Sequence, residues 1–128
     1  MSQQKPLILY IGDAEQGRAL LETALARGAW VYLAEDVEEA LGAYIAYTPD
    51  AVVLNAYTRA EESSEAYHHL RSVEAHPIFI LSEDRGWDRS VTEADAVYVL
   101  DPDTMPEEIL GFVSAALDQA SERISFAY

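Results

Sequence analysis

The sequence predicts a three-layer α/β domain around a parallel sheet, and three observations carry that prediction. Short uninterrupted apolar runs recur, among them Leu7-Ile8-Leu9-Tyr10-Ile11 and Ala51-Val52-Val53-Leu54. Runs without apolar/polar alternation suit strands buried on both faces. These runs alternate with stretches of helical periodicity, in strand–helix units of roughly 25 residues, the pattern of βαβ crossovers. Finally, no linker, low-complexity segment or internal repeat interrupts the 128 residues. That length suits one domain with a real core. We expect a domain over residues 1–122 and a short apolar tail from Arg123 to Tyr128.

Taken in order, Leu7 to Ile11 is the first strand, and Gly12-Asp13 ends it. Asp13 can cap a helix, with Gln16 completing a capping-box pattern. That helix runs to about Arg27 with Leu20, Leu21, Ala24 and Leu25 on one face, and Gly28 stops it. Trp30 to Ala34 is the second strand. Asp36 and Glu39 form the next capping pair, and Val37, Ala40, Leu41, Tyr44 and Ile45 keep helical spacing. Pro49-Asp50 is turn chemistry before the third strand, which ends at Asn55. A helix from about Glu62 to Ala75 presents Ala66, Leu70 and Val73 inward, and Pro77 to Leu81 is the fourth strand. Glu83 to Glu93 is the weakest element, interrupted by Gly86, with Trp87 as its only large apolar group. Ala96 to Leu100 is the fifth strand. Thr104 and Glu107 form a third capping box, with Pro106 tolerated in the first turn. Ile109, Phe112, Val113, Ala116 and Leu117 make the last inward stripe.

Composition bounds the function. The formal net charge is −15, and Lys5 is the only lysine. Such a chain repels phosphate backbones and anionic membranes, so neither nucleic acid nor lipid is an expected partner. The charge reads first as solubility; a basic partner surface and adaptation to high salt are the other readings. There are no cysteines, which removes disulfides and thiolate metal sites and fits the cytoplasm. No apolar run is long enough to span a bilayer, and Met1 to Lys5 lacks a signal-peptide pattern. Phosphate loops, GxGxxG and nucleophile elbows are absent from the sequence.

In an open parallel sheet, chemistry collects past the carboxyl ends of the strands. Asn55 stands there after the third strand, Gly12-Asp13 after the first, Ser82 after the fourth and Asp101-Pro102 after the fifth. With Tyr98 three positions before Asp101, this layout resembles a response-regulator receiver domain of two-component signalling. The resemblance implies a flavodoxin-like fold with strand order 2-1-3-4-5. It also implies an acidic pair after the first strand, a phosphoacceptor aspartate after the third, a Ser or Thr after the fourth and a lysine after the fifth. Here one acid of the pair is Gly12, the acceptor is Asn55, and Asp101 replaces the lysine; Ser82 and Tyr98 keep the two switch positions.

These departures remove the chemistry. An amide cannot form an acyl phosphate, and Mg²⁺ wants hard carboxylate ligands that Gly12 and Asn55 do not supply. Asp101 reverses the charge that would face the phosphoryl group. Asp13 therefore reads as a helix cap ahead of a leftover metal ligand, and Asp101 as a hydrogen-bonded carboxylate. The Asn55 amide is expected to donate to Asp13, Asp101 or a bridging water. His68, His69 and His76 lack metal-ligand spacing and read as surface residues. No metal, cofactor or catalytic residue is expected.

The resulting expectation is a degenerate pseudo-receiver: a phosphorylation-independent interaction module, not an enzyme. It would bind a signalling protein through Glu83–Glu93, the fifth strand and the last helix. Trp87 and Tyr98 are candidate interface residues, each also readable as packing against its own sheet, and a homodimer could use the same face. The alternatives are phosphorylation at a non-standard residue and small-molecule binding in the pocket beside Asn55.

Overall fold

The computed structural model describes residues 5–55, 60–73, 77–82 and 97–126. Its elements are β1 Leu7–Ile11, α1 Ala14–Ala26, β2 Trp30–Ala34, α2 Val37–Tyr47, β3 Ala51–Asn55, α3 Ala60–Ser72, β4 Ile78–Leu81, β5 Val97–Leu100 and α4 Pro106–Phe126. The five strands form one sheet in the order β2-β1-β3-β4-β5. Every pairing is parallel. This is the expected flavodoxin-like topology. The segment Glu83–Glu93 with Trp87, and also His76, lie outside the described residues.

Successive strand residues point to opposite faces, and here helices cover both. Leu9, Ile11, Val52, Leu54 and Ile80 pack with Ala40, Ala43 and Leu70 of α2 and α3. Ile8, Tyr10, Val53, Phe79 and Leu81 pack with Leu20, Ala24, Ile109 and Val113 of α1 and α4. All five residues of β3 are buried. Each fully buried aliphatic or aromatic side chain contributes roughly 1.5–3 kcal/mol of transfer free energy, so this sheet is the main store of stability.

The helices depart from the sequence reading in detail. In α2 the buried positions are Ala40 and Ala43, while Ile45 is 72% exposed. Small side chains turn to the strands, and the larger one rides outside. Among the described side chains of α4, Ile109, Leu110 and Val113 are buried, and Phe112 is exposed. Leu25 and Val73, also expected inward, are exposed. Asp36 caps α2 as expected, its Oδ1 accepting from the Glu39 N–H at 2.7 Å.

The other two capping boxes do not form. Asp13 caps α1 through the Glu15 N–H at 3.4 Å, and the Gln16 side chain points elsewhere. At α4, the Met105 carbonyl accepts from Ile109 N–H at 3.0 Å, which makes Met105 the cap and Pro106 the first helical residue. The Thr104 hydroxyl instead donates to the Asp101 carbonyl at 2.6 Å. The tail expected from Arg123 is helical as far as Phe126. Among the described residues, no helix is long and apolar enough to cross a membrane.

Candidate functional site at the carboxyl edge of the sheet

Register assembles the site. Ile11 pairs Leu54, Asn55 pairs Leu81, and Leu81 pairs Leu100. Gly12, Asn55, Ser82 and Asp101 are thereby brought to one edge of the sheet. Asn55 is 3% exposed and Ser82 6%, whereas Asp101 lies at the surface.

Asn55 has the same parity as Ala51 and Val53, so its side chain points to the α1/α4 face, where Tyr10 also lies. Its amide nitrogen donates to Tyr10 Oη at 3.0 Å and to Gln16 Oε1 at 2.5 Å. An amide has two hydrogens to give. The sequence reading expected the acceptor to be Asp13, Asp101 or a bridging water; these two bonds go to Tyr10 and Gln16. Asp13 caps α1 through the Glu15 N–H, and the Asp101 carbonyl accepts from Thr104 N–H at 3.1 Å. Among the described residues, no buried side-chain polar atom lacks a hydrogen-bond partner.

Two glycines make this arrangement fit. Gly12 has φ +145°, and a Cβ there would stand 2.7 Å from Asn55 Cβ and 3.3 Å from Tyr10 Oη. The position of the missing acid is therefore filled by the close approach of its own backbone to Asn55. Gly17 is buried in α1, where a Cβ would lie 2.8 Å from the Tyr10 ring and 2.9 Å from Leu33. The tyrosine ring occupies the space that a side chain at 17 would need, which carries its hydroxyl to Asn55.

Burial pushes the Tyr10 phenol up from its ordinary value; the Asn55 hydrogen bond opposes this, and the Asp13 charge adds to it. The phenol stays protonated, accepting from Asn55 while retaining a proton of its own. Tyr10 and Gln16 were missed in the sequence. The available signal was one aromatic in an aliphatic strand, with a glycine placed inside the following helix.

The Tyr98 ring, 40% exposed, stacks on Phe79 with centroids 5.0 Å apart. Ser82 N–H donates to the Leu100 carbonyl at 3.0 Å. His68 and His69 are exposed, and His69 Nε2 lies 3.7 Å from Glu65 Oε1 on the same helix. Among the described residues, no group of three or more His, Cys, Asp or Glu could hold a metal ion. A cavity of about 230 Å³ opens beside Tyr10 and Gln16, between α1 and the start of α4, lined also by Leu20, Thr104 and Ile109.

Solved structures of this shape are numerous. The chemotaxis response regulator CheY4 of Vibrio cholerae superposes with a TM-score of 0.71 at 17% identity, over 87% of this chain and 98% of that one. A two-component response regulator from Clostridium difficile gives 0.75 at 22% identity, over 91% and 98%. The pseudo-receiver domain of the CikA protein gives 0.63 at 20% identity, over 87% and 95%. The fold is that of receiver domains. No family model matches the sequence, and no curated protein sequence matches it. At these identities the likeness is one of fold, and the function must come from the site.

Proposed function

We propose that this receiver-like domain is a pseudo-receiver, a non-catalytic interaction module in two-component-type signalling that works without phosphorylation. One observation carries the reading. The acceptor position is an amide whose two hydrogens are taken by Tyr10 and Gln16, against a Gly12 backbone that leaves no room for a second acid. A receiver needs a carboxylate nucleophile and a carboxylate metal cradle at that spot; here an amide hydrogen-bonded to a phenol and a second amide stands there. The partner is a signalling protein. The surface offered to it is β5 with the start of α4, where Tyr98, Met105 and Phe112 are exposed, with Trp87 as a further sequence candidate. Aromatic side chains of this kind are common anchors in interfaces.

The test is incubation with acetyl phosphate and Mg²⁺ followed by intact mass. The expected mass is unchanged. Addition of one phosphoryl group would instead support a receiver phosphorylated at a non-standard residue. A second reading, small-molecule binding, rests on the 230 Å³ cavity beside Tyr10. A thermal-shift screen of nucleotides and metals tests it, because a ligand that binds only the native state raises Tm.

A further inference from the structure

We infer that a second copy of this chain pairs along β2, antiparallel and about a two-fold axis, to continue the sheet. The inference does not depend on the pseudo-receiver reading, because it uses the opposite edge of the molecule.

Among the described residues, β2 is terminal in the sheet. Its inward and outward backbone groups follow from two hydrogen bonds to the flanks of β1. Trp30 N–H donates to the Pro6 carbonyl at 2.9 Å, and the Ala34 carbonyl accepts from Gly12 N–H at 3.3 Å. Strand residues alternate sides, so Trp30, Tyr32 and Ala34 address β1, and Val31 and Leu33 turn their N–H and C=O groups outward. Natural sheets blunt such an edge with lysine, proline, inward charge or a bulge. Trp30–Ala34 contains none of those residues, and its register with β1 runs residue by residue without a bulge.

Side chains support a self-complementary contact. Centred on Tyr32, antiparallel pairing lets Val31 exchange both backbone hydrogen bonds with Leu33 of the second copy, and Leu33 with its Val31. Tyr32 then faces its own symmetry mate, an aromatic cross-strand pair of the stabilising kind. Trp30, 48% exposed, faces the small Ala34. Tyr47, 57% exposed and 5.6 Å from the Tyr32 ring, flanks the seam.

Charge selects the occupant and its direction. At the amino end of β2 the Lys5 ammonium sits 5.1 Å from the Trp30 ring centroid, and the exposed Arg27 lies just before the strand. At the carboxyl end, Glu35 and Asp36 follow directly and are exposed. Antiparallel pairing sets the basic end of each copy against the acidic end of the other. Parallel pairing would set like ends together and would not close. The β5/α4 surface stays free in such a dimer, which would present two copies of it.

The experiment is sedimentation equilibrium over a concentration series at moderate ionic strength, on wild type, Lys5→Glu and Glu35→Lys. Both positions are exposed, so both variants should fold. Wild type should dimerise. Each variant alone should dimerise roughly tenfold more weakly, as two symmetry-related surface pairs turn repulsive. An equimolar mixture of the two variants should recover the wild-type constant, because each mixed contact again joins opposite charges. Hydrogen exchange should show the Val31 and Leu33 amides gaining protection with concentration. A wild type that stays monomeric throughout overturns the proposal. So does a dimer indifferent to both charge reversals, or one that leaves these two amides unprotected.

Discussion

The hydrogen bond from Asn55 to Tyr10 joins two side chains that are 3% and 2% exposed, so neither can fall back on solvent if the other is lost. Tyr10→Phe leaves one amide hydrogen without its acceptor and should cost roughly 1–3 kcal/mol in chemical denaturation. The same residue sets an alkaline limit. Its folded pKa lies above the phenol value of 10.0, so the native state holds a proton that the unfolded chain releases first. Its contribution is intact below that pH and is lost as pH rises toward the folded pKa. Wild type should therefore weaken through this range more steeply than Tyr10→Phe; equal slopes would show that the phenol is not linked to folding. Asn55→Asp should also destabilise, by roughly 1–3 kcal/mol. Tyr10 and Gln16 can both turn to donate, so the cost comes from burying a charge close to Asp13. Mg²⁺ should leave most of that loss in place, because Gly12 has no carboxylate to add. Denaturation of the variant with and without Mg²⁺ checks both statements. Asn55 itself was legible in the sequence, since it ends a buried apolar run. Its partners were not: Gln16 also fits a capping box, and nothing local says that its amide turns toward the strand.

A glycine inside a helix costs roughly 1 kcal/mol relative to alanine, so Gly→Ala in α1 would ordinarily stabilise. At Gly17 the sign should reverse. The added methyl would press on the Tyr10 ring and on Leu33 at distances under 3 Å, and overpacking of that kind costs roughly 1–3 kcal/mol. Gly17→Ala should unfold at lower denaturant than wild type, and Gly17→Ala with Tyr10→Leu should lose less than the separate changes sum to, because the methyl then meets a smaller neighbour. A stabilised Gly17→Ala would mean that α1 can shift outward freely. Element identity was readable because strand and helix periods differ strongly. Helix rotation was less so: in α4, Phe112 and Val113 are adjacent, and a turn of 100° decides which one meets the sheet. Capping was least readable, as Thr104-x-x-Glu107 has the right spacing but the chain uses Thr104 to close the turn at Asp101.

The alternation of runs implied a parallel sheet with βαβ crossovers, and the receiver resemblance supplied its strand order. The sequence places Gly12, Asn55 and Asp101 at the strand ends, while the Tyr10–Asn55–Gln16 hydrogen bonds needed three-dimensional register to appear. Net charge acts on another scale. At −15 with Lys5 as the only lysine, most carboxylates cannot find a cation of their own. Several of them sit together along the surface, as Glu35, Asp36, Glu38 and Glu39 do around the start of α2. Their repulsion is larger in the compact state than in the expanded unfolded chain, so screening should favour folding. Between roughly 0.01 and 0.15 M salt the Debye length falls from about 30 Å to about 8 Å, from the width of the domain to the spacing of neighbouring charges. Over that range Tm should rise by on the order of several degrees, since a change of about 1 kcal/mol moves a domain of this size by that much. The measurement belongs at protein concentrations too low for self-association, so that pairing along β2 does not contribute. Sodium chloride is the right salt, because such low concentrations screen charge without strengthening apolar burial. A flat or falling Tm would show that the acidic surface is already relieved by solvation, and would leave its charge to act on partners alone.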